Sequence, residues 1–219
     1  MNDSVLWLYG SVARGQYGES SDLDVLCAVE DHAEAPPLGD LARLPQAEHL
    51  SMQTYTWHEL EAMASYGSLF LLHLKMEGRP LTEGTGALRL TRLLSDLPEY
   101  RQGAKDVAGF QVALQDVRDS LSDGGDPVFE LSTIATVIRH SSILACYLLG
   151  RPEFDRVQSI TTAFRSLDME EHALGALDIY QHRLAEARSI TATAEPTAAA
   201  AQHWLDVAEQ FIARLWRLV

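Results

Sequence analysis

The first third of the chain places short apolar runs between polar turns, which is the pattern of strands in a small sheet. Val5 to Tyr9 is apolar throughout and ends at Gly10, as a buried strand closed by a turn does. Leu23 to Val29 is a second apolar run, and Leu50 to Thr56 alternates between apolar and polar positions. These three segments predict three strands.

The remainder of the chain has the spacing of amphipathic helices. Glu59 to Glu77 shows this spacing on both sides of Gly67, and Leu81 is predicted to add a short return strand. Further helices are predicted over 86–97, 98–121, 128–149, 153–167, 169–189 and 197–218. The alanine-rich segment 191–201 is the best linker candidate. The pattern therefore predicts a small α/β domain followed by a helical bundle.

The turn after the first predicted strand has the chemistry of a phosphate site. Backbone N–H groups at such a turn are unpaired, and Gly10 lets a phosphate approach them closely. Ser11 adds a hydroxyl donor, and Arg14 is placed to add a positive charge; the alternative is that Arg14 is a solvated surface arginine. The turn therefore suits the tail of a nucleoside triphosphate.

Two aspartates stand at the start of the second predicted strand. The strand period places Asp22 and Asp24 on one face, about 7 Å apart, with Leu23 and Val25 on the other. Carboxylates so close repel each other unless a cation lies between them, and Mg²⁺ binds through one or two carboxylates plus substrate phosphates. The plainer alternative is a polar strand end in which Asp22 and the serines before it only make a turn.

Together these residues resemble the signature of the polymerase-β-like nucleotidyltransferase superfamily. The likeness is closest to its minimal bacterial branch, which includes kanamycin nucleotidyltransferase-like enzymes and small antitoxins paired with helical RNase toxins. The resemblance implies that the Gly-Ser turn holds the β,γ-phosphates. It also implies that the carboxylates hold Mg²⁺, or alternatively Mn²⁺, for transfer of a nucleoside monophosphate to an acceptor hydroxyl. The matching positions are Gly10, Ser11, Arg14, Gly15, Ser21, Asp22 and Asp24.

The resemblance also implies an architecture and a set of partners. The expected fold class is α+β, with a small mixed-sheet nucleotidyltransferase domain over 1–85 and a C-terminal helical bundle over 86–219. In similar proteins such a bundle covers the site and helps to choose the acceptor. The acceptor is a protein hydroxyl as in toxin neutralisation, a small molecule such as an aminoglycoside, or a nucleotide as in antiviral signalling. A partner protein or a homo-oligomer is a further expectation.

One expected residue is missing from the pattern. Active members of the superfamily carry a third acid on a later strand, and the corresponding position here is the neutral Ser51, followed by the neutral Gln53. The nearest acid is Glu48, and Glu59 or Glu61 would need a helix to reach back to the site. Three alternatives follow: a displaced acid, an acceptor that needs no activation, or a catalytically impaired protein that acts as a nucleotide-binding or antitoxin module.

Composition excludes several other classes of protein. The net charge of −14 argues against broad nucleic-acid binding, because that affinity comes from neutralising phosphates. The pattern predicts no membrane span, and a soluble, cytoplasmic protein is expected. Cys27 and Cys146 are too few and too far apart for a disulfide framework or a zinc motif, so both are expected to be buried thiols.

A second segment contains candidate site residues. Residues 67–81 retain a weaker likeness to the superfamily and contain His73, Lys75, Glu77 and Arg79. This places them above the other histidines and charged residues as candidates. The alternative is that they are packed, capping or solvated side chains of an ordinary helix.

Overall fold

The protein folds into two compact units, 1–101 and 102–219. The computed structural model describes residues 4–16, 22–30, 50–187 and 196–219, with side chains throughout except at 181–187. The sequence predicts a division after residue 85, whereas the structural division follows residue 101.

The N-terminal unit is built on a four-stranded mixed sheet of order β3-β2-β1-β4. The strands are β1 (Val5–Tyr9), β2 (Leu23–Val29), β3 (Leu50–Thr56) and β4 (Arg79–Pro80). β1 pairs antiparallel with β2 and β4, and β2 pairs parallel with β3. The predicted bounds of the first three strands are confirmed, and the return strand lies just before Leu81.

The two faces of the sheet follow the strand period. One face packs against the helices α2 (Trp57–Ser65), α3 (Leu69–Glu77) and α4 (Thr85–Ser95). The other face buries a second apolar cluster that includes residues from β1, β2 and the short helix α1 (Gly10–Ala13). The aspartate-bearing face of β2 is therefore the face that the helices cover.

The helix α4 belongs to the core of the N-terminal unit. Its apolar stripe buries Leu90 and Leu94 in the same cluster as Trp57 and Leu60. The sequence pattern showed that this segment is amphipathic, but an amphipathic stripe does not specify which core it joins. This is the physical reason for the different division of the chain.

The C-terminal unit is a helical bundle arranged around one buried helix. Its helices are α5 (Gly103–Ser122), α6 (Pro127–Leu148), α7 (Arg156–Ser166), α8 (Ala173–Ala187) and α9 (Ala198–Leu215). α6 contacts each of the other four, so it forms the centre of the bundle. α9 begins within the alanine-rich segment, and residues 191–195 of the predicted linker lie outside the described residues.

The composition of α6 also fits a membrane span. Contrary to the expectation from the sequence, α6 is long and apolar enough to cross a bilayer by length and composition. Most of its most apolar stretch is buried inside the unit, as in the core helix of a globular protein. Cys146 on this helix and Cys27 on β2 are both buried free thiols, as predicted.

Candidate active site

Three side chains form a row across the sheet at the end of β1. Tyr9 on β1 lies opposite Asp24 on β2, and Asp24 lies opposite Ser51 on β3. Opposite residues of paired strands share a face, so the row is on the helix-covered side of the sheet. Asp22 continues the same alternation just before β2. The strand pairing therefore brings the aspartates to the place where β1 ends.

Gly10 follows Tyr9 and lies directly against the carboxylate of Asp24. Its φ of +74° is in the left-handed region, where glycine is strongly favoured. A Cβ at this position would overlap Asp24 Oδ2 and lie 3.2 Å from Asp24 Cγ. The backbone of the turn therefore approaches the carboxylate as closely as only glycine allows.

The helix α1 begins at this glycine. The first N–H groups of a helix have no partner within the helix. The residue before α1 is Tyr9, whose side chain makes no capping hydrogen bond within the described part of the chain. Ser11 is in the first turn, and Arg14 ends the helix. Ser21, a further predicted phosphate contact, lies outside the described residues.

Asp24 is an electrostatically unfavourable carboxylate. Burial and the nearby charge of Asp22 raise its pKa to about 6, against the opposing effects of His73, Arg14 and a hydrogen bond from Ser51. Among the described residues, the positive charges near Asp24 therefore do not offset its burial and the charge of Asp22. Two carboxylates on one face, beside a glycine turn, are a donor set that fits one hard divalent cation.

Glu77 connects two candidate residues through a single oxygen atom. Arg14 Nη1 lies 2.5 Å from Glu77 Oε2, and His73 Nε2 lies 2.8 Å from the same oxygen. Burial raises the pKa of Glu77, but the interactions with His73 and Arg14 outweigh it, so the net pKa lies below its ordinary value. His73 and Glu77 are four residues apart and share one face of α3.

Tyr9 completes the surroundings of Asp24, although nothing in the sequence marks it as a site residue. Its ring packs edge-on against Phe70 and His73, with centroid distances of 5.6 and 5.5 Å. Burial, together with the charge of Asp24, raises its pKa, so the phenol remains neutral. Only the pairing of β1 with β2 shows that Tyr9 lies beside Asp24, because no local motif indicates it.

The third acid is not found beside the aspartates in the described ranges. Ser51 takes the predicted place next to Asp24 and donates a hydrogen bond to it. Glu59 instead closes a capping box at the start of α2, and Glu61 pairs with Arg89. Glu48 lies outside the described residues. Within the described part of the chain, no three His, Cys, Asp or Glu side chains are grouped to hold a metal ion.

The remaining candidates of the 67–81 segment have other contacts. Lys75 donates a hydrogen bond to the backbone oxygen of Ser95, at the end of α4. Arg79 is in β4 and is exposed. Of the four candidates, His73 lies close enough to Asp24 to lower its pKa, and Glu77 contacts His73 and Arg14 rather than the aspartates.

Comparison with known families agrees with this geometry. Residues 2–62 match the family model of the nucleotidyltransferase domain, which is consistent with the polymerase-β-like nucleotidyltransferase superfamily. The matched segment includes the Gly10 turn, both aspartates and Ser51. No curated protein matches the chain significantly. The N-terminal unit therefore contains a nucleotidyltransferase domain, and nucleotidyl transfer is the general activity that this domain supports.

Proposed function

We propose that this protein is a Mg²⁺-dependent nucleotidyltransferase that moves a nucleoside monophosphate from a nucleoside triphosphate to an acceptor hydroxyl. The observation that carries the proposal is the close approach of Gly10 to Asp24. It joins a phosphate-binding turn and a metal-binding carboxylate in one site. A phosphate at the turn and a cation at the carboxylate would then belong to one bound nucleotide.

The roles of the individual residues follow from their chemistry. The N–H groups of Gly10 and Ser11, with the Ser11 hydroxyl, hold the β,γ-phosphates. Asp22 and Asp24 hold Mg²⁺, or Mn²⁺ in its place, and the bound ion neutralises charge on the triphosphate. Arg14 adds a fixed positive charge. Ser21 is proposed as a further phosphate contact on the basis of the family motif.

The reaction itself is an in-line displacement at phosphorus. The acceptor oxygen forms a bond to the α-phosphorus, the bond from that phosphorus to the bridging oxygen breaks, and pyrophosphate leaves. The proton of the hydroxyl passes to solvent or to a base. Positioning and preorganised charge supply most of the rate in such transfers.

The charge of the chain bears on the choice of acceptor. A net charge of −14 suits a cationic acceptor, such as an aminoglycoside or a basic partner protein, better than a polyanion. A protein hydroxyl in a toxin–antitoxin pair and a nucleotide in antiviral defence remain the other two proposed acceptors. Each of these settings places the protein in the cytoplasm.

Label transfer from nucleotides tests this proposal. The full chain is incubated with Mg²⁺ and each α-³²P-labelled nucleoside triphosphate, with and without host lysate or aminoglycosides. We expect label transfer with release of pyrophosphate, lost when EDTA removes the metal. Absence of turnover with every nucleotide and acceptor would contradict transferase activity.

A second candidate function is favoured by one observation. Ser51 is neutral and hydrogen-bonded to Asp24 at the position where a third acid is expected. Transfer that depends on a second ion uses that ion to activate the attacking oxygen. The alternative is therefore a nucleotide-binding module that acts as an antitoxin or interaction partner, with binding of Mg²⁺-nucleotide but no transfer.

Substitution of Ser51 tests whether the neutral residue at this position limits the reaction. We expect Ser51→Asp to raise the rate of pyrophosphate release by about tenfold or more, because it adds a third carboxylate beside Asp24. Gln53→Asp is the matched control, since Gln53 shares the face of β3 but lies opposite Leu26. An unchanged or lower rate in Ser51→Asp, with a wild-type protein that transfers, would mean that the reaction needs no acid at this position.

A further inference from the structure

We propose that Glu77 is a positioning residue for nucleotide binding, which holds Arg14 and His73 in place beside Asp24. The inference rests on the proposed function of the same site. It concerns a residue on α3, outside the segment that matches the nucleotidyltransferase domain. Glu77 would act through its two partners rather than by touching the nucleotide.

The contacts of Glu77 are those of a shared anchor. One carboxylate oxygen accepts from both the guanidinium of Arg14 and the ring of His73. The three side chains are only 18%, 16% and 12% exposed for Arg14, His73 and Glu77, so water screens their interactions weakly. Charge-assisted hydrogen bonds in such surroundings are short and directional. The anchor therefore fixes positions as well as balancing charge.

Glu77 also determines which nitrogen of His73 carries a proton. A carboxylate with a lowered pKa is ionised at neutral pH and can only accept hydrogen bonds. Nε2 of His73 must then carry hydrogen and donate it to Glu77 Oε2. The ring is further held by its edge-on contact with Tyr9. Glu77 and Tyr9 therefore both hold the ring in its orientation near the proposed metal site.

Both partners of Glu77 act on the carboxylate that the proposed metal site needs. Arg14 and His73 each lower the pKa of Asp24, so each lies close enough to affect its charge. Arg14 also ends the α1 turn that begins at Gly10. Glu77 therefore links α3 to the phosphate turn and sets where positive charge is available to a triphosphate.

Apolar residues of α3 attach the helix to the sheet, whereas Glu77 and His73 lie at the site. Leu71 and Leu74 are fully buried in the apolar core and hold α3 on the sheet. Buried ion pairs add little net stability compared with apolar packing, so the pair of His73 and Glu77 is not needed to attach α3 to the sheet. A functional role accounts better for placing Glu77 and His73 at the site.

Nucleotide affinity measures this role. We expect Glu77→Ala to weaken binding of Mg²⁺ with each common nucleoside triphosphate by about tenfold, as for residues that orient the ligands of a metal. Glu77→Gln keeps an acceptor oxygen of the same shape and should recover part of the loss. The nucleotide KM should rise more than kcat falls. Glu83→Gln is the matched control, because Glu83 is an exposed acid of the same unit.

A double-mutant cycle shows whether Glu77 acts through Arg14. In an Arg14→Ala background, Glu77→Ala should reduce nucleotide affinity by less than about threefold, because the guanidinium that Glu77 positions is absent. NMR of the His73 ring in the metal-free protein provides a readout that does not involve nucleotide. We expect a proton on Nε2 in the wild type and a mixture of tautomers in Glu77→Ala.

The outcomes separate this inference from the proposed function. A wild-type chain that binds no Mg²⁺-nucleotide would overturn both. A wild type that binds, with equal or higher affinity in both Glu77 variants, would overturn the positioning role alone. The same holds if the losses from Arg14→Ala and Glu77→Ala are fully additive, or if Nδ1 rather than Nε2 carries the proton.

Discussion

Asp24→Asn is expected to abolish nucleotidyl transfer, with a fall in rate of about 10³-fold or more. The substitution keeps the size of the side chain but removes the charge that we propose holds a cation beside the phosphates. Asp22→Asn should reduce the rate as well, since the proposed metal site uses both carboxylates. The measurement is pyrophosphate release with saturating Mg²⁺ and nucleotide. Activity in Asp24→Asn within a few-fold of wild type would contradict the assignment of the site.

The same substitution should stabilise the metal-free protein, which excludes unfolding as the cause of inactivity. The pKa of Asp24 is raised from 3.8 to about 6, so the folded state favours its neutral form. Ionisation therefore costs stability as pH rises from the ordinary pKa, and the full cost is present above pH 6. Asparagine avoids this cost, which is up to about 3 kcal/mol at pH 8 and almost nothing well below pH 4.

Denaturant unfolding in EDTA, at pH 8 and below pH 4, measures the difference in stability between Asp24→Asn and the wild type. The matched control is Asp116→Asn, because Asp116 is exposed on the helical unit. We expect no pH-dependent gain in that variant. A lower stability of Asp24→Asn at pH 8 would mean that neighbouring positive charges already compensate the carboxylate.

Gly10→Ala is expected to destabilise the N-terminal unit by about 2–4 kcal/mol and to abolish nucleotide binding. An alanine at a φ of +74° is strained by about 1–2 kcal/mol. Its Cβ would also overlap Asp24 Oδ2, so the turn or the carboxylate must move. Thermal unfolding and titration with Mg²⁺-nucleotide measure the two effects.

Gly15→Ala separates the two causes of this effect. Gly15 has a similar φ of +71°, but a Cβ there would meet nothing within 4 Å. It should therefore show the backbone strain without loss of nucleotide affinity. In an Asp24→Ala background, Gly10→Ala should cost less stability than in the wild type, because the overlapping carboxylate is absent. Equal costs in both backgrounds would contradict the proposed contact.

Much of the fold was predictable because its signals are local. The strands β1, β2 and β3 match their predicted bounds, since apolar runs and turns mark them directly. The faces of the strands were also predictable, and Leu50 and Met52 pack on the face opposite Asp24 as the period requires. The assignment of α4 to the N-terminal core was not predictable, because an amphipathic pattern does not indicate which element the helix packs against.

The candidate site residues also divide into those that the sequence reveals and those that only the tertiary structure reveals. Gly10, Ser11, Asp22 and Asp24 lie within one short segment, so their chemistry and spacing could be recognised from the sequence. The sequence also determined that Ser51 is neutral where an acid is expected. These conclusions need only the residue types, the strand period and the resemblance of one motif.

The tertiary structure decided which residues gather around that motif. Tyr9 lies beside Asp24 through strand pairing, and Glu77 reaches Arg14 across 63 positions of sequence through the packing of α3 on the sheet. It also decided that Glu59 and Glu61 serve as a cap and a surface ion pair. The physical reason is that pairing and packing depend on contacts between distant segments, whereas the motif is carried by adjacent residues.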